Sequence, residues 1–145
     1  MSTARQIDEA YVKTGKVRVI FRNYAQFGQE SLWAAEAALC AADQGRFWDY
    51  HDKLFTSFTG QNQGTFSKAN LKRFAAELGL NIEAFNACLD TDKYEKQVRD
   101  EMAEGNQRGV KAIPTFFVNE VKIEGAKAFE AFKTAIEAEL AAQKP

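Results

Sequence analysis

The stretch Gly109-Val110-Lys111-Ala112-Ile113-Pro114-Thr115-Phe116-Phe117-Val118-Asn119 carries most of the information about the fold of this 145-residue chain. Pro114 stands directly before a run of β-branched and aromatic residues, which is typical of proline at the start of a strand. A second apolar run follows at Val121–Ile123, so a hairpin is predicted over Thr115–Ile123 with Asn119-Glu120 as its turn. Because an X–Pro bond favours trans by only about 0.5–1 kcal/mol, packing can select cis, and we expect a cis bond before Pro114.

Outside this hairpin the chain is mostly helical in pattern. Apolar residues at helical spacing predict a helix over residues 3–13, and the β-branched run Val17–Phe21 predicts a strand. Five helices and no strand are predicted from residue 29 to about residue 108, and a last helix over about residues 127–142. The predicted fold is therefore an α/β single domain over residues 1–145 with a helical insertion at about 29–108.

Capping signals mark several helix boundaries inside the insertion. Ser67 is a predicted N-cap, and Gly79 is placed to end the helix that follows it. Asn81 is predicted to begin the next, short helix. Thr91 is predicted to cap the fifth helix of the insertion.

Composition excludes several classes of partner. The formal net charge is −1, so there is no electrostatic basis for binding nucleic acid or an anionic membrane. No apolar run approaches the ~20 residues of a transmembrane helix. Residues 1–16 are polar and charged without an apolar core, so no signal peptide is recognised and a cytoplasmic location is the direct expectation. Two cysteines and one histidine are too few for a structural zinc site, and no metal or other cofactor is predicted.

The two cysteines, Cys40 and Cys88, both lie on predicted apolar helix faces. Two interpretations stay open for them: a structural disulfide, or two buried free thiols that act as small apolar residues. A catalytic pair would need exposure and an electropositive helix start, and neither cysteine lies at such a start.

Several motifs together resemble the DsbA-like branch of the thioredoxin superfamily, which consists of bacterial thiol–disulfide oxidoreductases. The resemblance rests on the Pro114 strand and hairpin and on Thr14-Gly15-Lys16-Val17-Arg18. It also rests on Ala34-Ala35-Glu36-Ala37-Ala38-Leu39-Cys40-Ala41 and on Gly45-Arg46-Phe47-Trp48-Asp49-Tyr50-His51. It implies a thioredoxin-like fold with a helical insertion. It also implies disulfide exchange with protein or peptide thiols, and Ile113 and cis-Pro114 as substrate-binding residues.

One part of the family pattern is missing from the sequence. The family's redox centre is a Cys-x-x-Cys at the start of the first helix, after a central first strand, and the 145 residues contain no Cys-x-x-Cys. The resemblance therefore implies a truncated, helix-rich form that lacks its first central strand and has no catalytic residue in this chain. An upstream true N-terminus would make a periplasmic or other extracytoplasmic location the expectation.

A missing central strand would leave two neighbours with unpaired backbone groups. We expect the gap to be filled either by Val17–Phe21 moving beside Thr115–Val118 or by a strand from a second copy, which would give a homodimer. Two functional alternatives accompany the redox hypothesis. One is a non-catalytic module that binds extended peptides or a second copy. The other, ranked lower, is a relative of kappa-type glutathione transferases and isomerases.

Overall fold

The computed structural model describes residues 2–143, which form two compact units. One unit is Asn23–Gln107, and the other contains the described residues up to Arg22 and from Arg108 onward. The domain predicted over residues 1–145 also includes residues 1, 144 and 145, which lie outside the described residues. The elements in chain order are α1 (Thr3–Ile7), a π-helical turn (Asp8–Val12), α2 (Gln29–Ala42), α3 (Phe47–Ser57), α4 (Lys68–Glu77), α5 (Ile82–Asp90), α6 (Glu95–Gln107), β1 (Thr115–Val118), β2 (Val121–Glu124) and α7 (Phe129–Ala142).

The unit formed by residues 2–22 and 108–143 has a small core between α1, α7 and the hairpin. Tyr11 is buried at the end of the predicted first helix, and its hydroxyl donates to Glu137 at 2.8 Å. Phe132 and Ile136 complete the buried cluster, and partly buried apolar residues from the hairpin pack against it. The predicted helix over residues 3–13 is confirmed, although its second half widens into a π-helical turn.

The hairpin predicted over Thr115–Ile123 is confirmed. β1 and β2 pair antiparallel, with Val118 opposite Val121 and Phe116 opposite Ile123. The two-residue turn requires positive φ, which non-glycine residues seldom adopt, and asparagine tolerates it better than glutamate. Asn119 takes this conformation, with φ of +51°. The turn predicted at Asn119-Glu120 is therefore confirmed.

The strand predicted at Val17–Phe21 is wrong. In the described part of the chain the sheet consists of β1 and β2 alone, and residues 17–21 run outside it. Val19 and Ile20 are 50% and 57% exposed. A β-branched run becomes a strand only when a ladder partner satisfies its backbone, and the expected move beside Thr115–Val118 does not occur. The other expected solution, a strand from a second copy, stays a prediction.

Five helices form the Asn23–Gln107 unit, as predicted for the insertion. Alanines on α2 let neighbouring helices approach closely, and Ala37 and Ala41 have no exposed surface. Tyr50 is also fully buried, with its ring 5.4 Å from that of Phe85. Its hydroxyl donates to the carbonyl of Leu71 at 2.8 Å, so the one polar atom of this side chain is satisfied inside the core. None of the helices within residues 2–143 has both the length and the apolar character needed to cross a membrane.

Capping residues set the boundaries of α4 and α5 as predicted. The Ser67 side chain accepts from the N–H of Asn70, and Asn81 accepts from the N–H of Ala84. The prediction for Thr91 is wrong. Its hydroxyl donates back to the carbonyl of Ala87 at 2.8 Å, so Thr91 ends α5 instead of beginning α6.

A disulfide joins Cys40 of α2 to Cys88 of α5, with Cα atoms 5.9 Å apart. The sequence left open a structural disulfide or two buried free thiols, and the structure contains the disulfide. Both cysteines are buried, with only 1% and 8% of their surface exposed. The bond closes a loop that spans most of the helical unit, so it restricts the unfolded chain more than a local cross-link would.

Replacing both cysteines, as Cys40→Ala/Cys88→Ala, is expected to lower the free energy of unfolding by up to about 4 kcal/mol, because the unfolded chain regains the entropy of the closed loop. Urea unfolding followed by circular dichroism measures the difference. A dithiol reductant should destabilise the wild-type protein and leave the double variant unchanged. An unchanged urea midpoint in the double variant would show that the bond does not stabilise the helical unit.

Candidate functional site

The segment before β1 is held at three points. The Lys122 ammonium donates to the carbonyl of Gly109 at 2.6 Å, and the Thr115 hydroxyl donates to the carbonyl of Ala112 at 2.6 Å. The N–H of Gly125 donates to the carbonyl of Pro114 at 2.8 Å. The Ile113–Pro114 peptide bond is cis. These bonds make residues 109–114 a defined part of the hairpin instead of a loose connection.

The two predicted substrate-binding residues are presented outward by this arrangement. Ile113 is 43% exposed, and Pro114 is also exposed. Beneath them, Phe116 packs edge-on against Phe132 at 4.8 Å, which attaches β1 to α7. On the other face of the strand, the Arg108 guanidinium lies 3.8 Å from the ring centre of Phe117. The side chain of Ile113 and the ring of Pro114 are thus exposed directly before a strand that packs against α7 on one face and against Arg108 on the other.

The phase of the β1–β2 ladder decides which backbone groups face outward. In an antiparallel pair, hydrogen-bonded and non-hydrogen-bonded residue pairs alternate. The bond from Gly125 to Pro114 assigns Pro114 to the bonded set, so Phe116 and Val118 also bond to β2. Thr115 and Phe117 therefore direct their N–H and C=O groups to the opposite edge. Among residues 2–143 no strand pairs with β1 on that side, and we call it the open edge of β1.

The two charged side chains of β2, Lys122 and Glu124, are paired with each other. The Lys122 ammonium, which also supports Gly109, holds the pKa of the Glu124 carboxyl below its usual value through a hydrogen bond. Within β1 itself there is no charged side chain. The open edge is consequently lined by main-chain groups of a strand without charged side chains, which suits an extended segment selected mainly by its main chain.

The Cys40–Cys88 disulfide, one of the two possibilities that the sequence left open, belongs to the helical unit and lacks the features of a redox centre. Cys40 is the third residue from the end of α2, and Cys88 is the third from the end of α5. The negative end of a helix dipole disfavours a thiolate, whereas redox-active cysteines use the positive end. The described residues also contain no cluster of three or more His, Cys, Asp or Glu side chains arranged to hold a metal ion.

A family model described as thioredoxin matches residues 2–138 of this chain. The chain belongs to the thioredoxin family. The oxidised crystal structure of BdbD from Bacillus subtilis superimposes with a TM-score of 0.84 at 26% identity, covering 94% of this chain and 76% of BdbD. This thioredoxin-family chain therefore has a DsbA-like, helix-rich fold with a small sheet, as the motifs predicted.

Two curated proteins that match this thioredoxin-family chain differ in kind: one is a disulfide bond formation protein and the other is an antiporter. Disulfide bond formation protein D of Bacillus subtilis is 27% identical over 138 residues, which cover 93% of this chain and 62% of the relative. A Na(+)/H(+) antiporter NhaA of Herminiimonas arsenicoxydans is 38% identical over 93 residues, which cover 64% of this chain and 14% of the antiporter. The chain thus spans less than two thirds of either relative.

The sequence predicts Ile113 and Pro114 as substrate-binding residues, which stays a prediction, and it did not point to other residues of this thioredoxin-family chain. It did not identify Thr115 and Phe117 as the outward-facing pair, because the phase of a ladder depends on the partner strand. It also missed Glu36, which is 1% exposed in the helical unit. A signal for Glu36 was present, since it lies three residues after Trp33 and four before Cys40, on the face predicted to be apolar.

Amide hydrogen exchange is expected to alternate along β1. The N–H groups of Phe116 and Val118 should be protected by β2, while those of Thr115 and Phe117 should exchange at least tenfold faster because they face solvent. Two-dimensional NMR after transfer into heavy water resolves the four amides. Equal protection of all four in dilute protein would contradict an open edge.

Proposed function

We propose that this protein, a DsbA-like relative of the thiol–disulfide oxidoreductases, holds extended, cysteine-containing segments of other proteins against the open edge of β1, which no central first strand occupies among residues 2–143. The observation that carries the proposal is the open edge itself: the outward groups of Thr115 and Phe117 stand next to exposed Ile113 and Pro114. An added strand would gain main-chain hydrogen bonds there, with Ile113 as an apolar contact. The similarity to disulfide bond formation protein D supports the class of substrate.

The 145 residues do not themselves supply the reactive thiols for exchange. They contain no Cys-x-x-Cys, and their two cysteines are bonded to each other at the ends of two helices. Exchange requires a thiolate to attack a disulfide sulfur, and neither Cys40 nor Cys88 lies where a thiolate is stabilised. Binding of the substrate chain is therefore the role assigned to these residues.

The Cys40–Cys88 disulfide gives information about the cellular compartment in which the protein is located. Disulfides persist in oxidising environments outside the cytoplasm and are rare in reducing ones. A bond that links two helices of the core is of the structural kind. We therefore propose an extracytoplasmic location, in place of the cytoplasmic expectation that followed from residues 1–16.

Reduction of insulin by a dithiol is expected to proceed at the uncatalysed rate in the presence of the 145-residue protein, because no reactive cysteine pair is available. Turbidity of the precipitating B chain measures the rate, with thioredoxin as the positive control. A rate close to that of thioredoxin would overturn the assignment of these residues to binding alone.

Binding of an extended peptide should depend on the outward N–H of Thr115. The change Thr115→Pro removes this donor, and with it the hydroxyl that bonds to Ala112, but leaves the β1–β2 hydrogen bonds in place. We expect at least about 5- to 10-fold weaker binding, the loss of one backbone hydrogen bond. Isothermal titration calorimetry with an unstructured cysteine-containing peptide, its thiol blocked, measures the affinity.

The matched control for this experiment is Glu124→Pro. Glu124 lies opposite Thr115 in the ladder, so its N–H faces the other edge of the hairpin. The control should bind the peptide like the wild-type protein. Equal losses in both variants would mean that peptide binding does not use the open edge of β1.

A second candidate function is self-association through the same edge. Antiparallel pairing of two β1 strands with Phe116 opposite its own copy would let Thr115 of each chain bond to Phe117 of the other. The exposure of Val19 and Ile20 in the same unit favours an apolar partner. Sedimentation equilibrium separates the candidates: a mass that rises from 16.3 kDa to twice this value with concentration would favour the dimer.

A further inference from the structure

Glu36 is a buried carboxyl in the middle of the helical unit. It lies on α2, is 1% exposed, and both carboxyl oxygens are shielded from solvent without a hydrogen-bond partner among residues 2–143. Burying a carboxylate in this way is strongly unfavourable, whereas burying the protonated acid costs much less. The surroundings accordingly favour the neutral form.

The charges around Glu36 come from three neighbouring parts of the unit. They are Lys68 at the start of α4, Asp92 after α5, and Glu95 and Arg99 on the first turns of α6. Each positive group is already engaged: Lys68 contacts Asp92 at 2.6 Å, and Arg99 contacts Glu95 at 2.7 Å. The cluster is balanced without Glu36, so a carboxylate there would add an uncompensated negative charge.

Loss of the proton therefore requires a rearrangement. Burial, reinforced by Asp92, raises the pKa of Glu36 to about 7. Above that pH the carboxylate can be satisfied in two ways: Lys68 or Arg99 leaves its present partner, or the α2–α6 contact opens to water. Release of Arg99 from Glu95 and opening of the α2–α6 contact both disturb the first turns of α6, because Arg99 and Glu95 belong to that helix. Release of Lys68 instead frees Asp92 in the connection that leads into α6.

We propose that Glu36 is a proton-dependent switch of the helical unit, in which the protonated side chain keeps α6 packed on α2 and its ionisation loosens the first turns of α6. The switch is separate from the peptide edge of β1 and makes no use of the disulfide. It gives the protein a tighter helical unit in mildly acidic surroundings than in mildly alkaline ones.

The direction with pH follows from linkage. The raised pKa belongs to the folded state, and the ordinary value of about 4.5 belongs to the opened state. The stability of the packed state is therefore complete below about pH 4.5 and falls as pH rises toward 7, above which the loss is constant.

The test is amide exchange of Val98, which is fully buried on α6 and bonds to the carbonyl of Tyr94. The protection factor is corrected for intrinsic exchange at each pH. In the wild-type 145-residue protein it should decrease by a factor of about 10 to 70 as the pH rises from about 5 to about 8.5. In Glu36→Gln, which keeps the shape and stays neutral, the protection factor should be independent of pH. Glu104→Gln makes the same chemical change on an exposed position of α6 and should retain the wild-type pH dependence.

A second measurement keeps the test decisive if Glu36→Gln does not fold. The carboxyl carbon of Glu36 in the wild-type protein, followed by NMR with pH, should titrate near 7. A midpoint near 4.5 would overturn the switch. So would a Glu36→Gln variant with the same pH-dependent protection of Val98 as the wild-type protein.

Discussion

The hydrogen bond from the N–H of Gly125 to the carbonyl of Pro114 is the contact on which the candidate site depends. It sets the phase of the β1–β2 ladder, and the phase decides that Phe116 and Val118 face β2 while Thr115 and Phe117 face outward. A shift of one residue would reverse this assignment and would also exchange the faces on which the side chains lie. The same register lets Phe116 pack on Phe132 and lets Lys122 support Gly109.

The two units are stabilised by different means. The helical unit relies on close helix packing around small residues such as Ala37, on a core tyrosine whose hydroxyl is satisfied, and on a disulfide that closes a long loop. The unit around the hairpin has a smaller buried cluster and a sheet of two strands, which alone is a marginal structure in water. Its exposed apolar residues and open edge are the features through which a DsbA-like chain would engage another polypeptide.

Much of the fold could be predicted from local patterns. The five helices of the insertion, the caps Ser67 and Asn81, the hairpin and the final helix all follow from apolar periodicity and from residues that satisfy helix ends or turns. Two local predictions were wrong for a shared reason. Val17–Phe21 has strand composition but lies outside the β1–β2 sheet of residues 2–143, and Thr91 has a hydroxyl that could serve either neighbouring helix and bonds to the earlier one.

Residue type and spacing alone were enough to predict the family, the order of the elements apart from the strand wrongly expected at Val17–Phe21, and the position of Pro114 at the start of a strand, and they show that these 145 residues contain no Cys-x-x-Cys. These are properties of residue type and spacing, which need no knowledge of distant contacts. Only the tertiary structure decided that Cys40 and Cys88 are bonded, which backbone groups of β1 face outward, and that Glu36 is enclosed among Lys68, Asp92, Glu95 and Arg99. Each of these depends on groups far apart in the chain, and their chemistry depends on which groups folding places next to them.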